Sequence, residues 1–583
     1  MSAVAAPVTL APAPSWRQRL IRRLLYGRDS DRGAKARARV GLAIIGFIAV
    51  YAIIAGRLVV FAVQSNERVV HRVVSGDAIA TARPDILDRN GEILATDVRV
   101  PSLYAEPRRL IDIDEAVELL TADLPDLDTT ELRQRLSSKR GFVWLKRDIT
   151  PEQQREIYRQ GLPGIGFLNE NKRDYPNGDE VSHLIGHVNI DNQGIAGIEK
   201  WLDGQGLAAL HMAGLATDRL QNPVQLAVDL RVQHVVHEEL VAAREKFHAL
   251  AAAGLVLNVR TGEVVALVSE PDYDPNNPRQ ALDPSRINRL TTGVYEMGST
   301  FKAFTVAMAL DCGKATLKSS FDARVPLHYG KFDIHDFEAQ HRILTVPEIF
   351  TYSSNIGAAR MAMAVGVDGH KAFLKKLGQL DRLHTELPES AEPIVPKHWG
   401  ELNTITIAFG HGLSVAPLQA AMGIAAVMNG GLLIPPTFLK RDAAQAQALG
   451  HRVIKPETSA LMRYLMRLNV EKGTAAKADV PGYYIGGKTG TADKVVFGRY
   501  SKSKVLTDFM AILPADQPRY LLLVMLDEPH ATPETHGFTT SGWNAVPTGG
   551  KIVARIAPLL GNEPRMDLPN ADNLILASVK ESR

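Results

Sequence analysis

The chain has 583 residues, 45% hydrophobic and 22% charged, with a net charge of +3. It is too long for one hydrophobic core and too apolar to be disordered, so two or more folded domains are expected. Its single cysteine, Cys312, excludes an intramolecular disulfide framework. Because Cys312 follows the apolar run 305–310, a small buried packing role is expected for it.

The small net charge hides an asymmetry. Residues 1–39 carry nine Lys or Arg against two Asp, which leaves the rest of the chain slightly acidic. An apolar run follows at 40–63, interrupted only by Arg57. A span of ~20 apolar helical residues crosses a bilayer, and a cleavable signal has a shorter apolar region of ~7–15 residues. The run therefore predicts an uncleaved transmembrane anchor. The basic flank would keep residues 1–39 in the cytoplasm and export everything after residue 63. No nucleic-acid-binding fold or aromatic platform accompanies the basic tail, so no nucleic-acid partner is expected.

In the exported part, Asn90-Gly91 between short apolar runs in 83–95 signals a hairpin. Residues 112–160 are rich in helix formers, with Leu119, Leu120, Leu124 and Leu132 as core candidates, and 165–200 reads as mixed strand and loop. A strand at 222–228 and an amphipathic helix at 229–247 place a domain boundary near residue 222. Apolar runs at 254–258 and 263–269 joined by Arg-Thr-Gly predict a second hairpin. Helical patterns dominate 300–380 and 415–430, and strands return at 483–488, 508–513 and 520–526. Early strands, a helical middle and late strands imply an α+β fold, an antiparallel sheet with helices on its faces.

Three motifs carry the chemistry. Ser299-Thr300-Phe301-Lys302 follows a glycine turn and opens an apolar helix. The i, i+3 spacing puts Ser299 and Lys302 on one face, and the free N–H groups of a helix start can stabilise an oxyanion. Burial or a second cation would lower the Lys302 pKa and let it accept the serine proton. Ser353-Ser354-Asn355 opens another helical pattern; alone it reads as a helix cap, but beside a nucleophile Ser353 can relay a proton and Asn355 can hold an amide. In Lys488-Thr489-Gly490-Thr491, the lysine and hydroxyls suit a carboxylate, the glycine permits close backbone approach, and the Thr491 N–H can complete an oxyanion hole.

Competing motifs are weaker. Residues 482–489 match the phosphate-binding pattern Gly-x-x-x-x-Gly-Lys-Thr, but that loop needs a helix where Gly490 stands. A second Ser-x-x-Lys, Ser501/Lys504, lies in a polar charged stretch and reads as a solvated loop. His183 and His187 have metal-pair spacing, but Gly186 argues against a helix and no Glu adjoins His183. Neither a metal nor a cofactor is expected.

As an ordered set, with 54 residues between the two motif serines and 135 more to Lys488, these motifs resemble the class B penicillin-binding proteins. Asp88-Arg89-Asn90-Gly91, Arg173-Asp174-Tyr175-Pro176 and the stretches 183–199, 228–231, 412–419 and 473–475 support the resemblance. Tyr295-Glu296-Met297-Gly298-Ser299-Thr300, the basic tail and the length look most like the septal, FtsI-type member.

The resemblance implies a basic tail (1–39), an anchor (40–63), an elongated non-catalytic pedestal of dimerisation type (64–221), a β-lactamase-like transpeptidase domain (222–560) and a C-terminal tail (561–583). It implies a peptidoglycan D,D-transpeptidase in which Ser299 attacks D-alanyl-D-alanine, Lys302 accepts its proton, and Ser353, Asn355 and Lys488 assist, with Thr489, Gly490 and Thr491 binding substrate. The implied partners are peptidoglycan stem peptides, β-lactams as covalent inhibitors, and divisome proteins including a polytopic glycosyltransferase. The implied location is the inner membrane at the septum. Three departures bear on specificity: Met297 where proline is frequent, Pro84 after Arg83 where glycine is common, and His411 where an aromatic residue is usual. A water-accepting carboxypeptidase or β-lactamase, and a non-catalytic scaffold, are the alternative readings.

Overall fold

The structure, a computed structural model, describes residues 15–17, 19, 40–41, 43–56, 83–207 and 222–572. The chain divides into two units, Met1–Ser75 and Gly76–Arg583. In the first, residues 40–41 and 43–56 are helical. Among the described residues no helix is long and apolar enough to cross a membrane. The expected anchor at 40–63 lies partly outside them, as does nearly all of the basic tail.

The second unit begins with a small sheet in the order Val143–Lys146, Ile93–Ala105, Ile86–Leu87, Val224–Gln225, with Ile165–Asp174 also paired to Ile93–Ala105. The expected hairpin forms: Gly91 takes φ +96°, and Asp88 Oδ1 accepts from the backbone N–H groups of Asn90 and Glu92 at 2.6 and 2.9 Å. Helices Ile113–Asp123, Thr129–Leu136 and Pro151–Gln160 start at Asp112, Asp128 and Thr150, whose side chains cap free N–H groups. Leu120, Leu124 and Leu132 bury into one cluster with Leu103, whereas Leu119 is only half-buried.

A buried ion network ties the loop-rich stretch to that sheet. Glu199 accepts from Arg83 Nε at 2.8 Å and Arg173 Nε at 2.6 Å. Arg83 also meets Asp203 at 2.7 Å, and Arg173 meets Asp97 at 3.1 Å.

The larger part is built on a five-stranded antiparallel sheet in the order Gly486–Val496, Arg499–Leu513, Tyr520–Asp527, Ala251–Asn258, Val264–Glu270. Alternate residues enter different cores, as the period of two requires. Leu255, Leu523 and Met525 join a large cluster with Phe304, Ile424 and Leu465. Val256, Leu522 and Val524 join a second cluster with Val236, Leu240 and Ile552. Helices Leu230–Lys246 and Ala545–Leu559 thus cover one face, while Lys302–Asp311, Pro417–Met428 and Pro456–Lys472 cover the other. Coverage on both faces explains why the central strands read as continuous apolar runs.

Several expectations need correction. Cys312 is exposed, because helix Lys302–Asp311 ends just before it and turns the side chain outward. Ser501 and Lys504 lie in strand Arg499–Leu513 rather than in a loop. The helical stretch 300–380 is interrupted by short strands Ser320–Asp322, Leu327–Tyr329, Phe332–Ile334 and Ile343–Thr345.

Candidate active site

Ser299 sits in the helical turn Gly298–Phe301, which runs directly into helix Lys302–Asp311. The turn is wedged against two backbones. Gly298 has φ +51°, and a Cβ there would lie 2.6 Å from the Thr491 carbonyl oxygen; a Cβ on Gly410 would lie 1.9 Å from the Gly298 oxygen. Only glycine fits such close approaches without a shift. Met297 is fully buried and its carbonyl accepts from Thr300 Oγ1 at 2.6 Å, so the turn is held without proline.

Lys302 is 1% exposed. Its Nζ lies 3.0 Å from Ser299 Oγ and 3.1 Å from Ser353 Oγ, and donates to the Ser353 carbonyl. That carbonyl is aimed by the backbone of Ser353, which takes the left-handed φ of +57°. Lys488 Nζ approaches from the sheet, 3.0 Å from Ser353 Oγ and 3.2 Å from the Thr489 carbonyl. Ser299, Lys302, Ser353 and Lys488 therefore form one hydrogen-bonded chain spanning three elements.

The electrostatics favour a neutral Lys302. Burial, reinforced by the Lys488 charge, pushes the Lys302 pKa well below its usual value, with Asp336 opposing. Burial pushes Lys488 down to about 7, against a pull from Asp508. A neutral Lys302 within hydrogen-bond reach of Ser299 Oγ is competent as a general base.

The remaining expected residues stand beside this chain. Asn355 opens helix Asn355–Val365 and its Nδ2 donates to the His335 carbonyl at 2.9 Å. The helix cap is Ser354, not Ser353: Ser354 Oγ accepts from Gly357 N at 3.0 Å. Thr489 Oγ1 meets Thr474 Oγ1 at 2.8 Å, and Thr491 Oγ1 accepts from Ser541 N at 3.1 Å. Gly490 faces Asp508, where a Cβ would fall 2.1 Å from Oδ2.

Asp336 and Asp508 were not singled out from sequence. Asp336 Oδ2 accepts from Ser354 Oγ at 2.7 Å and Oδ1 from Ile356 N at 2.9 Å, fixing the loop that carries Ser353. Asp508 is fully buried, and burial raises its pKa well above the usual range, with Thr300 and the Lys488 charge opposing. The apolar strand pattern around it hid this position. His411 abuts the segment that leads into the Ser299 turn: its Nδ1 lies 2.9 Å from Glu296 Oε2, while Glu296 Oε1 accepts from Gly412 N and Tyr500 OH.

The competing motifs dissolve. Gly487-Lys488-Thr489 lies inside strand Gly486–Val496, with no helix following, so a phosphate cradle does not form. Ser501 Oγ lies 3.3 Å from Ser503 Oγ, and Lys504 pairs with Glu528. His183 and His187 pack edge-on against Tyr273, and burial lowers the His183 pKa to about 4.

Two family models match: the penicillin binding protein transpeptidase domain over residues 252–542, and the penicillin-binding protein dimerisation domain over residues 78–204. The probable peptidoglycan D,D-transpeptidase FtsI of Caulobacter vibrioides is 40% identical over 502 residues, covering 84% of each chain. The chain belongs to the penicillin-binding protein transpeptidases. Among other members of this family, the peptidoglycan D,D-transpeptidase FtsI of Escherichia coli K12 is 31% identical, covering 83% of this chain and 85% of its own. The fold is shared with penicillin binding protein 3 of Mycobacterium tuberculosis, with a TM-score of 0.63 at 22% identity over 84% of this chain and 98% of that one. Penicillin-binding transpeptidases are serine acyl-transferases, and the hydrogen-bonded chain from Ser299 to Lys488 lies inside the matched transpeptidase domain.

Proposed function

We propose that this protein cross-links peptidoglycan stem peptides during septal wall synthesis as a D,D-transpeptidase acting through Ser299. The observation that carries the residue assignment is the contact of a buried Lys302 amine with Ser299 Oγ at 3.0 Å, with Ser353 and Lys488 completing the relay.

In the first half-reaction, Ser299 Oγ attacks the carbonyl carbon of the penultimate D-alanine while Lys302 Nζ takes the hydroxyl proton. The carbon–nitrogen bond of the tetrahedral intermediate then breaks. A proton passed along Lys302, Ser353 and Lys488 reaches the departing amine, and D-alanine leaves. In the second half-reaction, an amine from a neighbouring stem peptide attacks the acyl-enzyme and Ser299 regains its proton. Asn355 would hold the donor peptide. Lys488, Thr489 and Thr491 would bind its terminal carboxylate, with the Thr491 N–H facing the oxyanion. β-Lactams would acylate the same serine.

The finer placement belongs to the same proposal: an inner-membrane protein anchored by residues 40–63, with pedestal 64–221 and transpeptidase domain 222–560 in the periplasm. The pedestal would contact divisome partners including a polytopic glycosyltransferase. Purified protein given D-Ala-D-Ala stem peptides and an amine acceptor should release D-alanine and form cross-linked product. Release with hydrolysis alone, or rapid turnover of penicillin, would move the assignment to a carboxypeptidase or β-lactamase.

A further inference from the structure

Outside the three motifs, three segments converge: the pedestal turn Gly178–Val181, helix Leu230–Lys246 and the end of strand Val264–Glu270. His237 Nε2 lies 2.9 Å from Asp272 Oδ2 and 3.1 Å from Glu270 Oε1. Asp179 joins them, so that Asp179, His237 and Asp272 each present a ligand atom within 4.8 Å of the others.

This cluster is not satisfied as an ordinary ion pair. A single Nε2–H serves one acceptor, and it goes to Asp272. Glu270 is 3% exposed, and its Oε1, 3.1 Å from the imidazole as an ion-pair partner, receives no aligned hydrogen bond among the described residues. Its other oxygen is 3.6 Å from Arg244 Nη1, beyond hydrogen-bond range, and Arg244 Nε is itself without a partner. Three carboxylates thus face one imidazole and one distant guanidinium.

We propose that Asp179, His237, Glu270 and Asp272 form a binding site for a first-row divalent cation that ties the pedestal to the transpeptidase domain. The donor set, one imidazole with carboxylates, suits Zn²⁺ or Mn²⁺ rather than a soft, thiolate-seeking ion. The ligand atoms of Asp179, His237 and Asp272, all within 4.8 Å of one another, need only a small shift to surround one ion. The ion would take the place of the hydrogen bond between His237 Nε2 and Asp272.

The test is calorimetric titration of Zn²⁺ into the chelator-treated full-length protein, with Mn²⁺ resonance spectra in parallel. The site predicts one saturable equivalent and a Zn²⁺-dependent rise in unfolding temperature. His237→Ala and Asp272→Asn should weaken binding by more than about tenfold and remove the thermal shift. Should either variant misfold, as judged by loss of penicillin labelling, Asp179→Asn on the exposed turn gives the same reading without disturbing the core. No Zn²⁺ binding by wild type, or equal binding by wild type and all three variants, overturns the proposal.

Discussion

Lys488→Met separates stability from activity. Lys488 is 1% exposed, and folding lowers its pKa from 10.5 to about 7. At about 1.4 kcal/mol per unit, that depression amounts to roughly 5 kcal/mol of destabilisation at pH 7. Methionine removes it and also removes the hydrogen bonds to Ser353 Oγ and the Thr489 carbonyl, which together contribute about 2–3 kcal/mol. The net expectation is a gain of about 2 kcal/mol and a rise of a few degrees in unfolding temperature, with penicillin acylation lost.

The pH dependence has a definite sign. Between pH 10.5 and about 7 the unfolded lysine holds a proton that the folded one does not, so wild-type stability falls as pH falls through that window. The advantage of the Met variant should therefore be absent above the window, grow on descending it, and level off below about pH 7. Thermal unfolding of both proteins across this range is the assay. A variant that melts below wild type at pH 7, or a pH-independent difference, would refute the electrostatic reading of Lys488.

Other expectations follow from the same geometry. Acylation efficiency should decline at acid pH as Lys302 gains a proton, and decline again above about pH 7 as free-enzyme Lys488 loses one; stopped-flow penicillin acylation across pH would show a flat profile if neither amine takes part. Gly298→Ala places a Cβ 2.6 Å from the Thr491 oxygen at φ +51°, so acylation should slow by about tenfold or more through displacement of the nucleophile turn, while far-ultraviolet dichroism stays unchanged. Glu199→Ala strips the shared partner from Arg83 and Arg173; a loss of about 3–5 kcal/mol is expected, seen as early proteolysis of residues 83–207 with acylation by the remaining fold preserved.

How legible all this was in the sequence depends on the range of the interaction. The members of the hydrogen-bonded chain, Ser299, Lys302, Ser353 and Lys488, were readable because each sits at a local turn or strand start with fixed spacing. The strands 251–258 and 520–527 were readable in part, as the apolar runs 254–258 and 520–526. Their adjacency was not: Tyr520 lies opposite Asn258, a pairing that no local pattern encodes. Asp336 escaped because it lies among short strands with no clear period, and Asp508 because one polar residue in an apolar strand looks like a solvent-facing position. Cys312 was misplaced because the apolar run ends at the helix terminus, where the next side chain turns outward. The buried network of Arg83, Arg173 and Glu199 joins residues up to 116 apart; its members were visible individually but not as partners.

The central claim, that Ser299 is the acylated nucleophile activated by Lys302, is tested most directly by labelling with a fluorescent penicillin. Wild type, Ser299→Ala and Ser501→Ala would be compared by gel fluorescence and intact mass. The account predicts stoichiometric, long-lived labelling of wild type and Ser501→Ala, and none of Ser299→Ala. Labelling that survives in Ser299→Ala, or a folded wild type that takes no label, would contradict it.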